Sequence, residues 1–195
     1  YYAVLPKGSK APTGGDFKAN AVTGNLGYGS LDVRKNTPYT FDVNNRPLEE
    51  LQSYDLYLWL TDIEGGSSSA VKKLTFTTVD KTPPVFQTEL TVNSVKETSV
   101  GLYANLNEAG TLYWVIVPQP LAGQSGKVDL TSDTAKLQVA AGMNALKSGK
   151  ASMTAGKDAT FTVSGLSKER AYDLYYVAQD RAGNYSETVG KITIH

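Results

Sequence analysis

Residues 166–184 read LSKERAYDLYYVAQDRAGN, and residues 48–66 read LEELQSYDLYLWLTDIEGG. Leu48, Tyr54, Asp55, Leu56, Tyr57 and Asp62 recur as Leu166, Tyr172, Asp173, Leu174, Tyr175 and Asp180, each displaced by 118 positions. That period lies far beyond the roughly 20 to 50 residues of solenoid and propeller repeats, so each copy is expected to be a whole domain with its own core. After each repeated tyrosine every second residue is apolar: Tyr54, Leu56, Leu58, Leu60, and Tyr172, Leu174, Tyr176, Ala178. Alternation of this kind predicts strands with one face on a core. By parity, Tyr57 and Trp59 in the first copy, and Tyr175 and Val177 in the second, point to the opposite face.

Working outward, Thr111–Val117 is an apolar run of strand length closed by Pro118, and Tyr1–Leu5, closed by Pro6, is its counterpart. Phe86, Leu90 and Val92, then Val100, Leu102, Ala104 and Leu106, predict two further strands ahead of the second run. Nothing in the sequence precedes the first run, so the first copy is expected to begin at its third strand. Its two missing strands would have been removed, be unseen, or be supplied by another molecule. Residues 160–163 (TFTV) and 40–43 (TFDV) predict matching strands. Glycine turns at Asp180–Asn184 and Asp62–Gly66 lead into closing strands at Lys191–Ile194 and Lys72–Thr77. Between Ser132 and Gly149, the steps Ala135, Val139, Met143, Leu146 predict a helix of about three turns, near 132–148. Thr131 or Ser132 is placed to cap its start, and Gly149 to end it. A shorter turn is expected over Asp16–Ala21. Asp80–Pro84 (DKTPP) is the linker, and consecutive prolines predict an extended, semi-rigid connection. The domains are therefore placed at 1–81 and 82–195.

In both copies a leucine stands six residues before the repeated tyrosine, which resembles the tyrosine corner of fibronectin type III and related immunoglobulin-like sandwiches. On that resemblance Tyr54 and Tyr172 are the structural corner residues, each ring inward and each hydroxyl bonded to backbone. The fuller pattern, with Ala182-Gly183-Asn184, Ser186 and the Thr82-Pro83-Pro84 linker, is similar to the tandem fibronectin-like modules of bacterial cell-surface, S-layer-associated or secreted proteins. The tryptophan common in the second strand of fibronectin type III domains is replaced here by Ala104 or a neighbour. The implied fold class is all-β: two tandem immunoglobulin-like sandwiches, each with a small helical insertion, the first lacking two strands.

Composition narrows the function. Lysine and arginine number 19 against 19 aspartate and glutamate, so no net field gathers nucleic acid or an anionic membrane. No apolar run approaches the ~18 residues of a membrane helix, so membrane insertion by this segment is not expected. The absence of cysteine removes thiol chemistry, disulfides and cysteine-type zinc sites. Gly-, Thr-, Ser- and Tyr-rich composition with 19% charged residues is closer to secreted bacterial β-proteins than to cytosolic enzymes. The expected location is extracellular or at the cell surface.

Chemistry-bearing motifs are sparse. The single histidine, His195, is the last residue and is poorly placed for a catalytic triad. No phosphate loop or HExxH pattern occurs. Asp62 and Asp180 precede glycine turns; with Glu64 or Asp80 either offers calcium oxygens, although aspartate at such turns ordinarily accepts backbone N–H bonds. Glu49 and Glu50 offer a carboxylate pair, more simply read as a solvated loop. Asn184-Tyr185-Ser186 matches an N-glycosylation acceptor, a match without meaning in a bacterial protein. Tyr57 and Trp59 offer an aromatic platform for ligand or sugar, or else lie beneath the short insertion or at a domain contact. No catalytic residue, metal site or cofactor follows. The function expected is a non-catalytic spacer and protein-interaction module whose partners are other domains of its parent or other surface proteins. The alternative is a carbohydrate-binding accessory module that takes polysaccharide on the aromatics of the first domain.

Overall fold

The computed structural model describes residues 1–43, 46–64 and 66–195, and it divides into two compact units, Tyr1–Asp80 and Lys81–His195. Position 65 of the first glycine turn lies outside the described residues.

The second unit shows the complete architecture. Strands β5 (Phe86–Lys96), β6 (Ser99–Leu106) and β9 (Ala159–Ser164) form one antiparallel sheet in the order β5-β6-β9. Strands β7 (Gly110–Pro118), β8 (Lys147–Met153), β10 (Tyr172–Asp180) and β11 (Gly190–Ile194) form the other, in the order β11-β10-β7-β8. Alternate residues of both sheets meet between them: Leu90, Val100, Leu102, Ala104 and Leu106 from one side, Leu112, Ile116, Leu174, Tyr176 and Ile194 from the other. Each such side chain removed from water contributes about 1.5–3 kcal/mol, so the period-2 pattern is what holds the layers together. This is an all-β, immunoglobulin-like sandwich.

The opposite face of β7 and β10 is apolar as well, and helix α2 (Ala135–Ala140) covers it. Ala135 and Val139 pack with Val115, Val117, Tyr175 and Val177. The three-turn helix expected over 132–148 is corrected. It ends after six residues, Met143 and Leu146 are exposed, and Lys147–Met153 pairs with β7 as a strand. Gly149 sits inside that strand rather than ending a helix, because the Trp114 ring lies across it and any Cβ there would collide with the indole. An edge strand of sequence KSGKASM carries little β-propensity, and only the waiting edge of β7 recruits it.

The first unit repeats one sheet of this design. Its strands are β1 (Tyr2–Pro6), β2 (Gly27–Gly29), β3 (Ser53–Leu58) and β4 (Lys72–Thr77), in the order β2-β1-β3-β4. The registers coincide: Tyr54 faces Phe76 and Leu56 faces Leu74, as Tyr172 faces Ile194 and Leu174 faces Ile192. Gly29 lies beneath the Tyr2 ring as Gly149 lies beneath Trp114. Helix α1 (Gly14–Lys18) occupies the place of α2, started by a capping box in which Thr13 and Asp16 satisfy each other's backbone N–H groups. Residues 40–43, expected as a strand, are not one. Their counterpart β9 is held by β6, and among the described residues the first unit has no strand equivalent to β6.

Candidate functional site

Both corner tyrosines are buried and accept a backbone hydrogen bond at the same spacing. Ser167 N–H donates to the Tyr172 hydroxyl at 2.9 Å, and Glu49 N–H donates to the Tyr54 hydroxyl at 3.0 Å. Each bond ties the loop before the strand to the strand itself. Tyr172→Phe keeps the ring but leaves the Ser167 N–H without its partner, so a loss of about 1 kcal/mol is expected in the urea unfolding of the second unit. A change below ~0.3 kcal/mol would show that water replaces the hydroxyl at no cost.

Immediately after each tyrosine stands a buried aspartate, and its surroundings are duplicated too. Asp173 accepts from Lys191 Nζ at 2.9 Å, Thr193 Oγ1 at 2.9 Å and Gln119 Nε2 at 2.7 Å. Asp55 accepts from Lys73 Nζ at 3.4 Å, Thr75 Oγ1 at 2.6 Å and Gly8 N–H at 3.2 Å. Lys73 and Thr75 recur as Lys191 and Thr193 at the same displacement of 118, so the signal was present in the sequence. A Lys-x-Thr step in a terminal strand has the pattern of ordinary solvated alternation, so sequence alone does not mark it as a site.

These locks hold their carboxylates ionised. Burial pushes Asp173 upward, but the bonds from Lys191, Gln119 and Thr193 outweigh it and its pKa is lowered. The Thr75 bond is the largest influence on Asp55, whose pKa is lowered as well. A carboxyl group with a folded-state pKa below its unfolded value stabilises the fold fully above that value, about 3.9, and loses the contribution as pH falls through the folded pKa. Stability is therefore expected to drop below about pH 4. Asp173→Asn should cost about 2 kcal/mol at pH 7 and flatten part of that acid drop. Parallel urea titrations from pH 7 to pH 2.5 check both; an unchanged acid slope in the variant would remove Asp173 from the account.

Of the two readings offered for Tyr57 and Trp59, an open platform or a place beneath the short insertion, the structure shows the second. Trp59 is 7% exposed and stacks on Phe17 of α1, with ring centroids 6.1 Å apart and an interplanar angle of 8°. Tyr57 is buried in the same cluster with Ala3, Leu5 and Val22. One helical turn suffices to cover the face because it carries a phenylalanine, where α2 carries smaller residues.

The remaining candidates serve their own turns. Asp62 accepts the N–H groups of Gly66 and Ser67, and Asp180 those of Gly183 and Asn184. The Asn184 side chain donates to Asp180 at 2.7 Å, and Ser186 is buried with its hydroxyl bonded to Ala178 N–H. Glu49 and Glu50 are exposed. His195 borders a groove with Lys96, Lys168 and Arg170.

One surface lies where the first copy was expected to lack two strands. On the inner face of the first unit's sheet, Leu74 is 57% exposed and Leu56, Leu58 and Phe76 are half-buried. Of their counterparts, Leu174, Tyr176 and Ile194 are buried in the sandwich core, and Ile192 is partly buried and packs against it. An apolar sheet face of this kind is a protein-interaction surface or an uncovered core.

The two sheets of the second unit, three strands against four with a tyrosine corner, define an immunoglobulin-like sandwich of fibronectin type III character. No family model matches the chain, and no curated protein matches it. Among solved structures it is similar to the crystal structure of rat CD45 extracellular region, domains d3-d4, at 12% identity over 86% of this chain and 79% of that chain, with a TM-score of 0.41.

Proposed function

We propose that this chain is a non-catalytic structural and protein-interaction segment of a larger extracellular or cell-surface protein, of the secreted or S-layer-associated bacterial kind. The observation that carries this reading is the duplicated lock. In both units the buried carboxylate is engaged by lysine and threonine of the adjoining strand, an arrangement suited to stiffening a strut. The lack of cysteine and the low charge content support a secreted protein stabilised by packing alone. Among the described residues no helix is long and apolar enough to cross a membrane. Polysaccharide binding through Tyr57 and Trp59 is not part of the reading, because both rings are buried.

Antibodies raised against the whole chain test it on cells that carry the parent protein. Labelling of intact cells is the expected result, and labelling only after permeabilisation overturns the location. Turnover of polysaccharide or ester substrates by the purified chain overturns the non-catalytic part.

A further inference from the structure

Trp59 has its ring covered but one polar atom left over. It is 7% exposed, Phe17 stacks on its face, and Tyr1 packs against it at 5.5 Å between ring centroids. Among the described residues the indole Nε1–H has no hydrogen-bond partner, yet it is not sealed from solvent. The indole borders a cleft of about 240 Å³ that Gly14, Gly15, Lys18, Thr61 and Ser68 also line. Gly14 keeps the N–H edge clear on that side, since a Cβ there would stand 2.7 Å from Nε1. Packing alone does not call for such a group. The position equivalent to Trp59 in the second unit is Val177, which is buried beneath α2 with no polar side-chain atom at all.

We infer that this cleft binds the carboxylate of an acidic side chain presented by a partner protein. Among the described residues every polar side chain that lines it can donate: the indole N–H, the Lys18 ammonium, and the hydroxyls of Thr61 and Ser68. None of its lining residues is acidic. Lys18 has no ion-pair partner among the described residues. The aspartates nearest along the chain are committed to their own turns, Asp16 to the N–H and hydroxyl of Thr13, and Asp62 to the N–H groups of Gly66 and Ser67. The rim of an aromatic ring is its electropositive part, so an indole offered edge-on favours an anion, where a face favours a cation.

Two features select a protein side chain over an acidic sugar. A sugar ring needs an open aromatic face to lie on, and the packing of Phe17 and Tyr1 leaves none. The cleft also falls below the roughly 300–1,000 Å³ of small-molecule sites and suits one projecting acidic group. The inference names the partner chemistry for the protein-interaction reading and rests on it.

The test is a titration of the whole isotope-labelled chain with the blocked peptide acetyl-Gly-Glu-Gly-amide, followed in the indole N–H resonances of Trp59 and Trp114. The Trp59 resonance is expected to move with half-saturation at about 1–10 mM, the range of a single charge-assisted contact, while Trp114 stays. The same peptide with glutamine in place of glutamate should move neither. Lys18→Gln should weaken binding about 10-fold with the chain still folded. Trp59→Phe keeps an aromatic ring against Phe17 and should abolish the peptide-induced shifts of the Gly14 and Gly15 amides; if that variant does not fold, Lys18→Gln decides. No saturable shift up to about 50 mM, an equal shift from the glutamine peptide, or unchanged affinity in Lys18→Gln overturns the inference. Tighter binding of glucuronate than of the glutamate peptide overturns the choice of a protein side chain and makes an acidic sugar the occupant. Failure of the cell-surface reading appears in intact-cell labelling and leaves this titration standing, so the two failures are distinguishable.

Discussion

Tyr175→Ala is expected to cost the second unit about 4 kcal/mol, the upper range for deleting a buried aromatic. The ring is fully buried between β10 and α2, among Val115, Val117, Leu130, Ala135, Val139 and Val189. Its hydroxyl donates to the Val128 carbonyl at 2.8 Å, which ties the loop before α2 to the sheet. The Lys191 ammonium lies 5.4 Å from the ring centroid. Truncation opens a cavity that helix and sheet can fill only in part, and it releases the loop at the same time. Trp59 and Trp114 are the two tryptophans, one in each unit, so their fluorescence separates the two unfolding transitions. The Trp114 transition should shift and the Trp59 transition should stay. Leu137→Ala, on the exposed side of α2, should change stability by less than ~0.5 kcal/mol. A Tyr175→Ala loss below ~1 kcal/mol would show that the outer layer is not a cooperative part of the fold.

Trp59→Ala carries the second large effect, about 3–4 kcal/mol lost from the first unit. The indole joins β3 to α1 through Phe17, contacts Tyr1 at 5.5 Å between ring centroids, and lies against Gly14 so closely that a Cβ there would clash. Among the described residues its cluster has six buried members, Trp59 included, so the loss is a large share of what holds this unit together. Amide exchange along β1 and β3 reads the effect without a tryptophan signal: protection should fall by at least about 100-fold. Loss of polysaccharide affinity with protection unchanged would instead restore the aromatic platform that the burial of Trp59 argues against.

Much of this was legible in the residues alone. The displacement of 118 announces two domains. Alternation after Tyr54 and Tyr172 assigns each side chain to a face, and the structure puts Leu174 and Tyr176 in one core and Tyr175 and Val177 in another, as parity requires. Other features were not legible, for a reason that differs in each case. The stripe from Ala135 to Leu146 has helical period, but the helix stops at Ala140, and from Lys147 onward the chain is taken by the free edge of β7, a partner distant in sequence. The segment 40–43 repeats the pattern of β9 yet forms no strand, because ladder bonds need a neighbour and local propensity cannot supply one. Trp59 at an outward position left platform and covered face both open, and only Phe17 of α1 lying on it decides between them.

Sequence by itself determined which residues repeat, which strand positions share a face, and which chemistry is missing, because these depend on the order and type of residues along the chain. Tertiary structure alone decided which outer faces a helix covers and that Asp55 and Asp173 are locked by the terminal strands. Burial and ionic pairing arise between segments far apart along the chain, and no local pattern encodes what will be brought against them.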